Sequence, residues 1–133
     1  MRVLVSFFVI VPWLVFVCSA AEPDYPRLAR VVIQVESRGR VDLVGDHGKA
    51  HGPGQTHKIM VDEVNRILGA PCFRYEDRTD PRETAAMIVI FLRAQHAKHP
   101  HETRAQLMAR WRNPNGNAPR WHLAKVRKAM EAT

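Results

Sequence analysis

The chain contains 133 residues, with 20 Lys or Arg against 13 Asp or Glu, and its formal net charge is +7 when histidine is counted as neutral. This length is enough for one compact domain with a single hydrophobic core, so we expect one functional site rather than several. A surface of this charge favours an anionic partner, and nucleic acid, anionic lipid and a bacterial cell wall all qualify.

Residues 1–20 are typical of a secretory signal peptide. Arg2 precedes an uncharged stretch over residues 3–17, and the small residues Ser19, Ala20 and Ala21 follow it. The stretch is shorter than the roughly 20 residues that span a bilayer, and a retained membrane anchor is the alternative. We therefore predict an exported protein, periplasmic or extracellular, that meets a membrane only through this segment.

The mature domain then covers residues 21–133. Removing residues 1–20 takes away one arginine and no acid, so the net charge of +7 becomes +6. Export disfavours nucleic acid as the anionic partner. Cys72 is the only remaining cysteine, so no internal disulfide can form and stability must come from packing. We expect its thiol to be buried.

Apolar residues at helical spacing predict a first helix over Tyr25 to Ser37. Asp24 precedes this helix, and a first helical turn tolerates Pro26. The apolar face consists of Leu28, Val31, Val32 and Val35. Turn-forming residues crowd the next stretch, and a short irregular hairpin fits it, with Val41 and Val44 as its strand-like residues.

Two further helices are predicted in the middle of the chain. The first stops at Gly69 and has the apolar positions Met60, Val64, Ile67 and Leu68. Asp80, Pro81 and Glu83 form a capping pattern that opens the second, which includes the uncharged run 85–92 and continues to Ala94. A strand over residues 88–90 is the alternative for this run.

The C-terminal part of the chain predicts two more helices. One has Leu107, Met108 and Trp111 on one face, and the other has Leu123, Val126 and Met130. Between them the stretch "RNPNGNAP" is too rich in Pro, Gly and Asn to be regular. The fold class is therefore mainly α: a small helical domain with one irregular hairpin or loop after the first helix.

Glu36 stands out because it borders the apolar face at the end of the first helix, one residue after Val35 and four after Val32. A carboxyl held there loses part of its solvent, which disfavours its charged form. It could then donate a proton near neutral pH. Cleavage of a glycosidic bond needs such an acid, because the leaving oxygen must be protonated as the sugar ring becomes oxocarbenium-like. Position alone favours the alternative of an ordinary solvated glutamate.

Two motifs around Glu36 resemble the lysozyme superfamily, specifically the branch of soluble lytic transglycosylases and goose-type lysozymes. "VESRGR" matches the Glu-Ser signature at the end of that family's catalytic helix, and "GDHGKAHGPGQTH" contains its Gly-x-x-Gln element as Gly52 to Gln55. "DEVNRILG" and "DPRETAAMIVIFLRAQ" are similar to the helices that follow, so the resemblance covers residues 28–130. It implies a lysozyme-like α+β fold.

Carried over by position, the resemblance makes Glu36 the single catalytic acid/base and Ser37 a neighbour that orients it or the substrate. Gln55, with the backbone around Gly52 and Gly54, would line the sugar cleft, where glycines allow close approach to the backbone. The family's Tyr or His next to an Asn in the late loop is matched only imperfectly by "WRNPNG". Asn113 is the candidate substrate contact there, and Trp111 belongs either to the core or to the cleft.

The number of carboxylates decides the product. Glycosidases normally use two, and Asp42 and Asp46 are the only acids in the loop after Glu36. Asp46 is the better second candidate, although turn aspartates usually bond to their own backbone. The resemblance implies a route that needs one acid: Glu36 protonates the leaving oxygen and then deprotonates the muramyl C6 hydroxyl, which closes an anhydro ring. We therefore expect a lytic transglycosylase that cleaves the MurNAc-GlcNAc bond, with a hydrolytic muramidase as the alternative.

Other functions rest on weaker patterns. Two groups of histidines invite a metal site, His47, His51 and His57 in one loop and His96, His99 and His101 in another. Neither has the H-E-x-x-H arrangement of a zinc enzyme, so we expect no metal and no cofactor. A basic cluster on the last helix would suit nucleic acid, but we interpret it as a solvated face. A non-catalytic cell-wall-binding domain stays open. We expect a monomer whose partner is the peptidoglycan glycan strand.

Overall fold

The computed structural model describes residues 21–133, so the predicted signal peptide lies outside the described residues. Helix α1 spans Tyr25–Ser37, as predicted. The Asp24 carboxylate caps it by accepting a hydrogen bond from the amide of Arg27, and Pro26 lies in its first turn. Arg38 ends the helix with a left-handed backbone, φ 57°.

The predicted hairpin is present and very short. Strands β1 (Val44–Gly45) and β2 (Ala50–His51) pair antiparallel around a 3₁₀ turn at Asp46–Gly48. Val44 lies opposite His51, and Gly45 lies opposite Ala50. Val41, which we expected to be strand-like, is exposed and precedes the first strand.

The next two helices follow the predicted signals. Helix α2 spans Lys58–Leu68 and ends at Gly69, whose φ of 70° is the left-handed conformation that suits glycine. A 3₁₀ turn at Tyr75–Thr79 leads to α3, Pro81–Lys98. Its N-cap, Asp80, accepts hydrogen bonds from the amides of Arg82 and Glu83. The uncharged run is therefore helical and not a strand.

The last two helices are α4 (Arg104–Ala109) and α5 (Arg120–Glu131). Trp111 lies just beyond α4 but is buried, as its predicted face requires. The buried positions of α5 are His122 and Val126, whereas Leu123 and Met130 are only half-buried. The predicted apolar face of α5 was therefore incomplete, because it omitted the histidine.

The core forms around α3, which packs against α1, α2 and α4, while α5 packs against α1 and α4. Phe91 and Trp111 meet edge to face at its centre, with ring centroids 5.5 Å apart. The domain is thus mainly α-helical with one two-stranded sheet, which confirms the predicted class. Within residues 21–133 no helix is both long and apolar enough to cross a membrane.

One prediction about the core was wrong: Cys72 is exposed. It lies in the connection after α2, where the neighbouring Phe73 packs against the core instead. The side chain of Asn65 holds the backbone of Phe73 through two hydrogen bonds of 2.9 Å, one to its amide and one to its carbonyl. This clamp directs Phe73 inward and leaves the thiol in solvent.

Candidate active site

The carboxyl of Glu36 is buried at the C-terminal end of α1, with only 5% of its side chain exposed. Its surroundings differ from the apolar pocket that we expected. Oε1 lies 3.2 Å from Nε2 of His122, and Oε2 accepts a hydrogen bond of 3.3 Å from Nη1 of Arg112. The carboxyl is therefore buried but has a polar partner at each of its two oxygens.

His122 is the site residue that sequence reasoning missed. It is almost fully buried in α5, and its Nδ1 lies 3.5 Å from Nδ2 of Asn113. With the amide of Asn113 as donor, Nδ1 accepts and Nε2 is the ring nitrogen that donates to Glu36. The signal was available, because His122 lies four residues before the buried Val126 and shares its face.

The loop over residues 112–119 brings Arg112 to Glu36 and Asn113 to His122, and a partly buried ion pair holds that loop. Arg110 donates two hydrogen bonds, of 2.7 and 2.6 Å, to the carboxylate of Glu102. Its third donor reaches the carbonyl of Pro114 at 2.7 Å. Arg110 thereby joins the segment before α4 to the loop after it, so it positions both Arg112 and Asn113.

The pKa values of Glu102 and Arg110 both shift in the direction that stabilises this ion pair. The hydrogen bonds from Arg110 lower the pKa of Glu102, against an opposing effect of burial, and the same bonds raise the pKa of Arg110. Both groups are therefore held in their charged forms across the neutral range.

Lys125 of α5 completes the contact between the first and last helices. Its Nζ donates a hydrogen bond of 2.5 Å to the carbonyl of Val35, in the last turn of α1. A cation at a helix C-terminus is favourable because it satisfies carbonyls that have no partner within the helix. The basic cluster predicted on α5 thus includes one residue that fixes the end of α1, while Arg120, Arg127 and Lys128 are exposed.

A cleft of about 480 Å³ opens beside Glu36 between the hairpin and the late loop. Its lining includes four of the predicted site residues: Glu36, Asp46, Gln55 and Asn113. The other lining residues are Ala50, His57, Ile59, Met60, Trp111, Arg112 and Pro114. The fold therefore brings together residues that are far apart in sequence around one partly polar groove.

Ser37 does not line this cleft. It is buried, and its hydroxyl donates a hydrogen bond of 2.6 Å to the carbonyl of Pro53. The same oxygen accepts from the amide of Gly39 at 3.1 Å. Ser37 therefore ties the end of α1 to the loop that carries Gln55, which positions Glu36 rather than contacting a ligand in the cleft.

Gln55 lines the cleft, but its amide nitrogen is used within the fold. It donates to the carbonyls of Leu43 and Gly52 at 3.0 and 2.9 Å, and the residue has a left-handed backbone, φ 46°. Gly45 leaves room for its oxygen, since a Cβ there would lie 2.4 Å from Oε1. Gln55 thus closes the loop between the hairpin and α2.

Gly52 and Gly54 have a different reason to be glycine from the one we expected. Both are buried rather than open to the cleft. A Cβ on Gly52 would lie 2.0 Å from the carbonyl oxygen of Arg78, and one on Gly54 would lie 2.6 Å from the side chain of Thr84. The glycines allow the loop to pack against α3 and the turn before it. Gly54 also accepts a hydrogen bond of 2.8 Å from the indole of Trp111.

Asp46 lies at the edge of the cleft in a left-handed backbone conformation, φ 47°. Its carboxylate is 3.3 Å from Nε2 of His57. The side chain therefore pairs with the N-cap residue of α2 instead of bonding to its own backbone. Trp111 belongs to both places considered for it, since it is buried against Phe91 and also contributes to the cleft wall.

The histidines are distributed over separate contacts. His51 bonds to the carbonyl of Gly48, His57 pairs with Asp46, and His96 lies 2.7 Å from the hydroxyl of Tyr25. Among residues 21–133, no three His, Cys, Asp or Glu side chains are grouped closely enough to hold a metal ion.

Comparison of the chain with models of protein families, with curated proteins and with solved structures finds no match. A buried carboxyl, an imidazole in contact with it and an adjoining cleft form an arrangement that can hold and transfer a proton next to a bound ligand.

Proposed function

We propose that this protein is a lytic transglycosylase with a lysozyme-like fold, which cleaves the MurNAc-GlcNAc bond of peptidoglycan with Glu36 as its single acid/base. The observation that carries the proposal is the position of one buried carboxyl at the end of α1 in the wall of a cleft. The resemblance of "VESRGR" and "GPGQ" to that family supplies the substrate class. The positive net charge suits an anionic wall polymer.

The proposed reaction consists of two proton transfers through the same carboxyl. Neutral Glu36 gives its proton to the glycosidic oxygen as the bond to the muramyl anomeric carbon breaks. The resulting carboxylate then takes the proton of the muramyl C6 hydroxyl, whose oxygen bonds to the same carbon and closes the anhydro ring. Glu36 ends the cycle protonated, and no water is consumed.

Two side chains hold the carboxyl of Glu36, and they differ in exposure. The side chain of Arg112 is half exposed, so a sugar in the cleft can displace it from Oε2. His122 is buried and stays in place, where it fixes the orientation of the carboxyl through Oε1.

The pairing of Asp46 supports a route with one acid. Its carboxylate is engaged with His57, so it is less free to activate a water molecule. Hydrolysis by a lysozyme-type muramidase is the second candidate, and the location of Asp46 in the cleft lining is the observation that favours it.

The test is mass spectrometry of peptidoglycan digested by the mature protein, residues 21–133. We expect muropeptides whose muramyl end lacks one water, and hydrolysis would instead produce ordinary reducing ends. Glu36→Gln should lower the rate by about 10²–10⁴-fold, the usual contribution of a general acid. Glu131→Gln, at an exposed glutamate near the end of α5, is the matched control. Equal activity of the three proteins, or none in any of them, would reject catalysis by Glu36.

The role of His122 has its own test. His122→Phe removes the hydrogen bond to Oε1, whereas His122→Gln keeps a donor of similar reach. Because a hydrogen bond to a charged group contributes about 1.5–3 kcal/mol, we expect kcat for His122→Phe to fall roughly ten- to a hundredfold with KM little changed. Partial recovery in His122→Gln would support positioning. A fall in both variants that tracks lost folded protein by circular dichroism would make the residue structural only.

A further inference from the structure

A second hollow, of about 540 Å³, lies on the other side of the hairpin turn and adjoins the cleft. The two share His57 and Ile59 in their linings. The remaining lining residues are Gly48, Lys49, His51, Lys58 and Arg78. Of all seven lining residues, three are Lys or Arg, two are histidines (His51 and His57) and none is acidic, so basic side chains are concentrated in the hollow.

Arg78 is the unusual member of this group because its residue is only 7% exposed. Its Nε donates to the carbonyl of Tyr75 at 2.7 Å, and Nη1 makes two long contacts of 3.4 Å to the carbonyls of Lys49 and Thr56. Within residues 21–133, Nη2 has no acceptor and the guanidinium forms no ion pair. Nη2 is not among the fully buried atoms, so it is accessible and can donate to an anion in the hollow that Arg78 lines.

The start of α2 adds backbone donors at the same place. Its N-cap, His57, makes no capping hydrogen bond with its side chain. In the described part of the chain, the amides of Lys58 and Ile59 donate to no acceptor, and both residues line the hollow. Unpaired amides at the start of an eleven-residue helix, next to an unneutralised guanidinium, form an arrangement suited to a compact oxyanion.

The acidic groups nearby are already engaged. Asp46 pairs with His57 at the border of the cleft, and Asp62 accepts the hydroxyl proton of Tyr75 at 3.0 Å. The ammonium of Lys58 lies 5.0 Å from the centre of the Tyr75 ring, which holds it beside the hollow without neutralising it. The positive charge of the hollow therefore remains available to a ligand.

We propose that this hollow binds an oxyanion carried by the polymer that occupies the cleft, with Arg78, Lys49, Lys58 and the first amides of α2 as its ligands. This inference rests on the proposed function for the identity of the polymer. On a peptidoglycan strand the group is a carboxylate of a stem peptide or a phosphate of an attached wall polymer. Because the hollow adjoins the cleft, such a group would set which stretch of the strand lies against Glu36.

The binding step is tested without any catalytic readout. Sodium phosphate and sodium acetate are titrated separately into the mature protein at constant ionic strength, and the amide signals of Lys58 and Ile59 are followed by NMR. We expect saturable shifts, weakened roughly tenfold by the double change Lys49→Ala and Lys58→Ala, since each removes a charge-assisted contact. Lys128→Ala, at an exposed lysine of α5, should leave binding unchanged. Both lysines are exposed, so the double variant should fold.

Flat titrations, or equal binding by the double variant and the control, would overturn the proposed site whatever the protein cleaves. Saturable binding combined with no cleavage of peptidoglycan would instead reject the proposed function and retain the anion site. The two failures are therefore distinguishable.

The source of the oxyanion is tested with glycan strands. Strands that carry stem peptides are compared with strands from which an amidase has removed them, and with strands freed of phosphate polymers. If a stem carboxylate is bound, KM should rise roughly tenfold in the double lysine variant on peptide-bearing strands, with kcat retained, and removing the peptides should abolish the difference. If loss of the phosphate polymer abolishes it, the phosphate is the ligand. A KM that is the same for all strands and variants would overturn the substrate assignment.

Discussion

Replacing Gly52 with alanine should destabilise the domain far more than the same replacement at Gly48, although both glycines have a left-handed backbone. Their φ values are 72° and 85°, so each alanine incurs a similar conformational cost of about 1–2 kcal/mol. The space around them differs. A Cβ on Gly48 would meet nothing within 4 Å, whereas one on Gly52 would lie 2.0 Å from the carbonyl oxygen of Arg78 and 2.9 Å from its carbon.

The contact at Gly52 involves backbone on both sides, so no side chain can move aside to relieve it. Overpacking of this kind costs about 1–3 kcal/mol, and we expect Gly52→Ala to lose roughly that much more free energy of unfolding than Gly48→Ala. Urea denaturation of both variants measures the difference, provided that the dependence on denaturant is unchanged. Equal losses in the two variants would refute the packing of the Gly52–Gln55 loop against Arg78.

Two other variants test the interactions that hold the loops around the site in place, the Glu102–Arg110 pair and the hydrogen bond from Trp111 to Gly54. Glu102→Gln should lower the free energy of unfolding at pH 7 by about 1.5–3 kcal/mol, because it removes charged hydrogen bonds to the buried Arg110. Since the folded-state pKa of Glu102 is lowered, this contribution is present above its unfolded value, near 4.5, and is lost as pH falls through the folded value. The difference from wild type should therefore shrink in acid, and a constant difference across pH would contradict the pairing. Trp111→Phe should lower the free energy of unfolding by about 1–3 kcal/mol, because it leaves the buried carbonyl of Gly54 without its donor. The control is Trp121→Phe, at a residue that is 59% exposed, which should change the free energy of unfolding by less than about 0.5 kcal/mol.

The surroundings of Glu36 illustrate a compromise between burial and charge. A fully apolar pocket would keep the acid neutral but would leave its oxygens without partners, which is costly in a folded protein. His122 and Arg112 satisfy both oxygens, and of the two only Arg112 is open to displacement from the cleft. The carboxyl therefore has partners when the cleft is empty, and a ligand that displaces Arg112 can reach one of its oxygens.

Local features of the sequence determined the helices. The caps Asp24 and Asp80, the prolines that follow them and the stop at Gly69 act within one or two turns, so the boundaries of α1 and the start of α3 could be predicted from neighbouring residues. The same local reasoning selected Glu36 because it borders an apolar face.

Contacts between distant parts of the chain decided which groups surround the site residues. His122 reaches Glu36 across 86 positions, and the indole of Trp111 reaches Gly54 across 57. The spacing of apolar residues along the chain does not specify which partner a buried polar group such as His122 or the indole of Trp111 will meet. The exposure of Cys72 and the packing of Gly52 depend in the same way on how separate segments are docked. Sequence patterns report which face of a segment is buried, and only the tertiary arrangement determines what lies against that face.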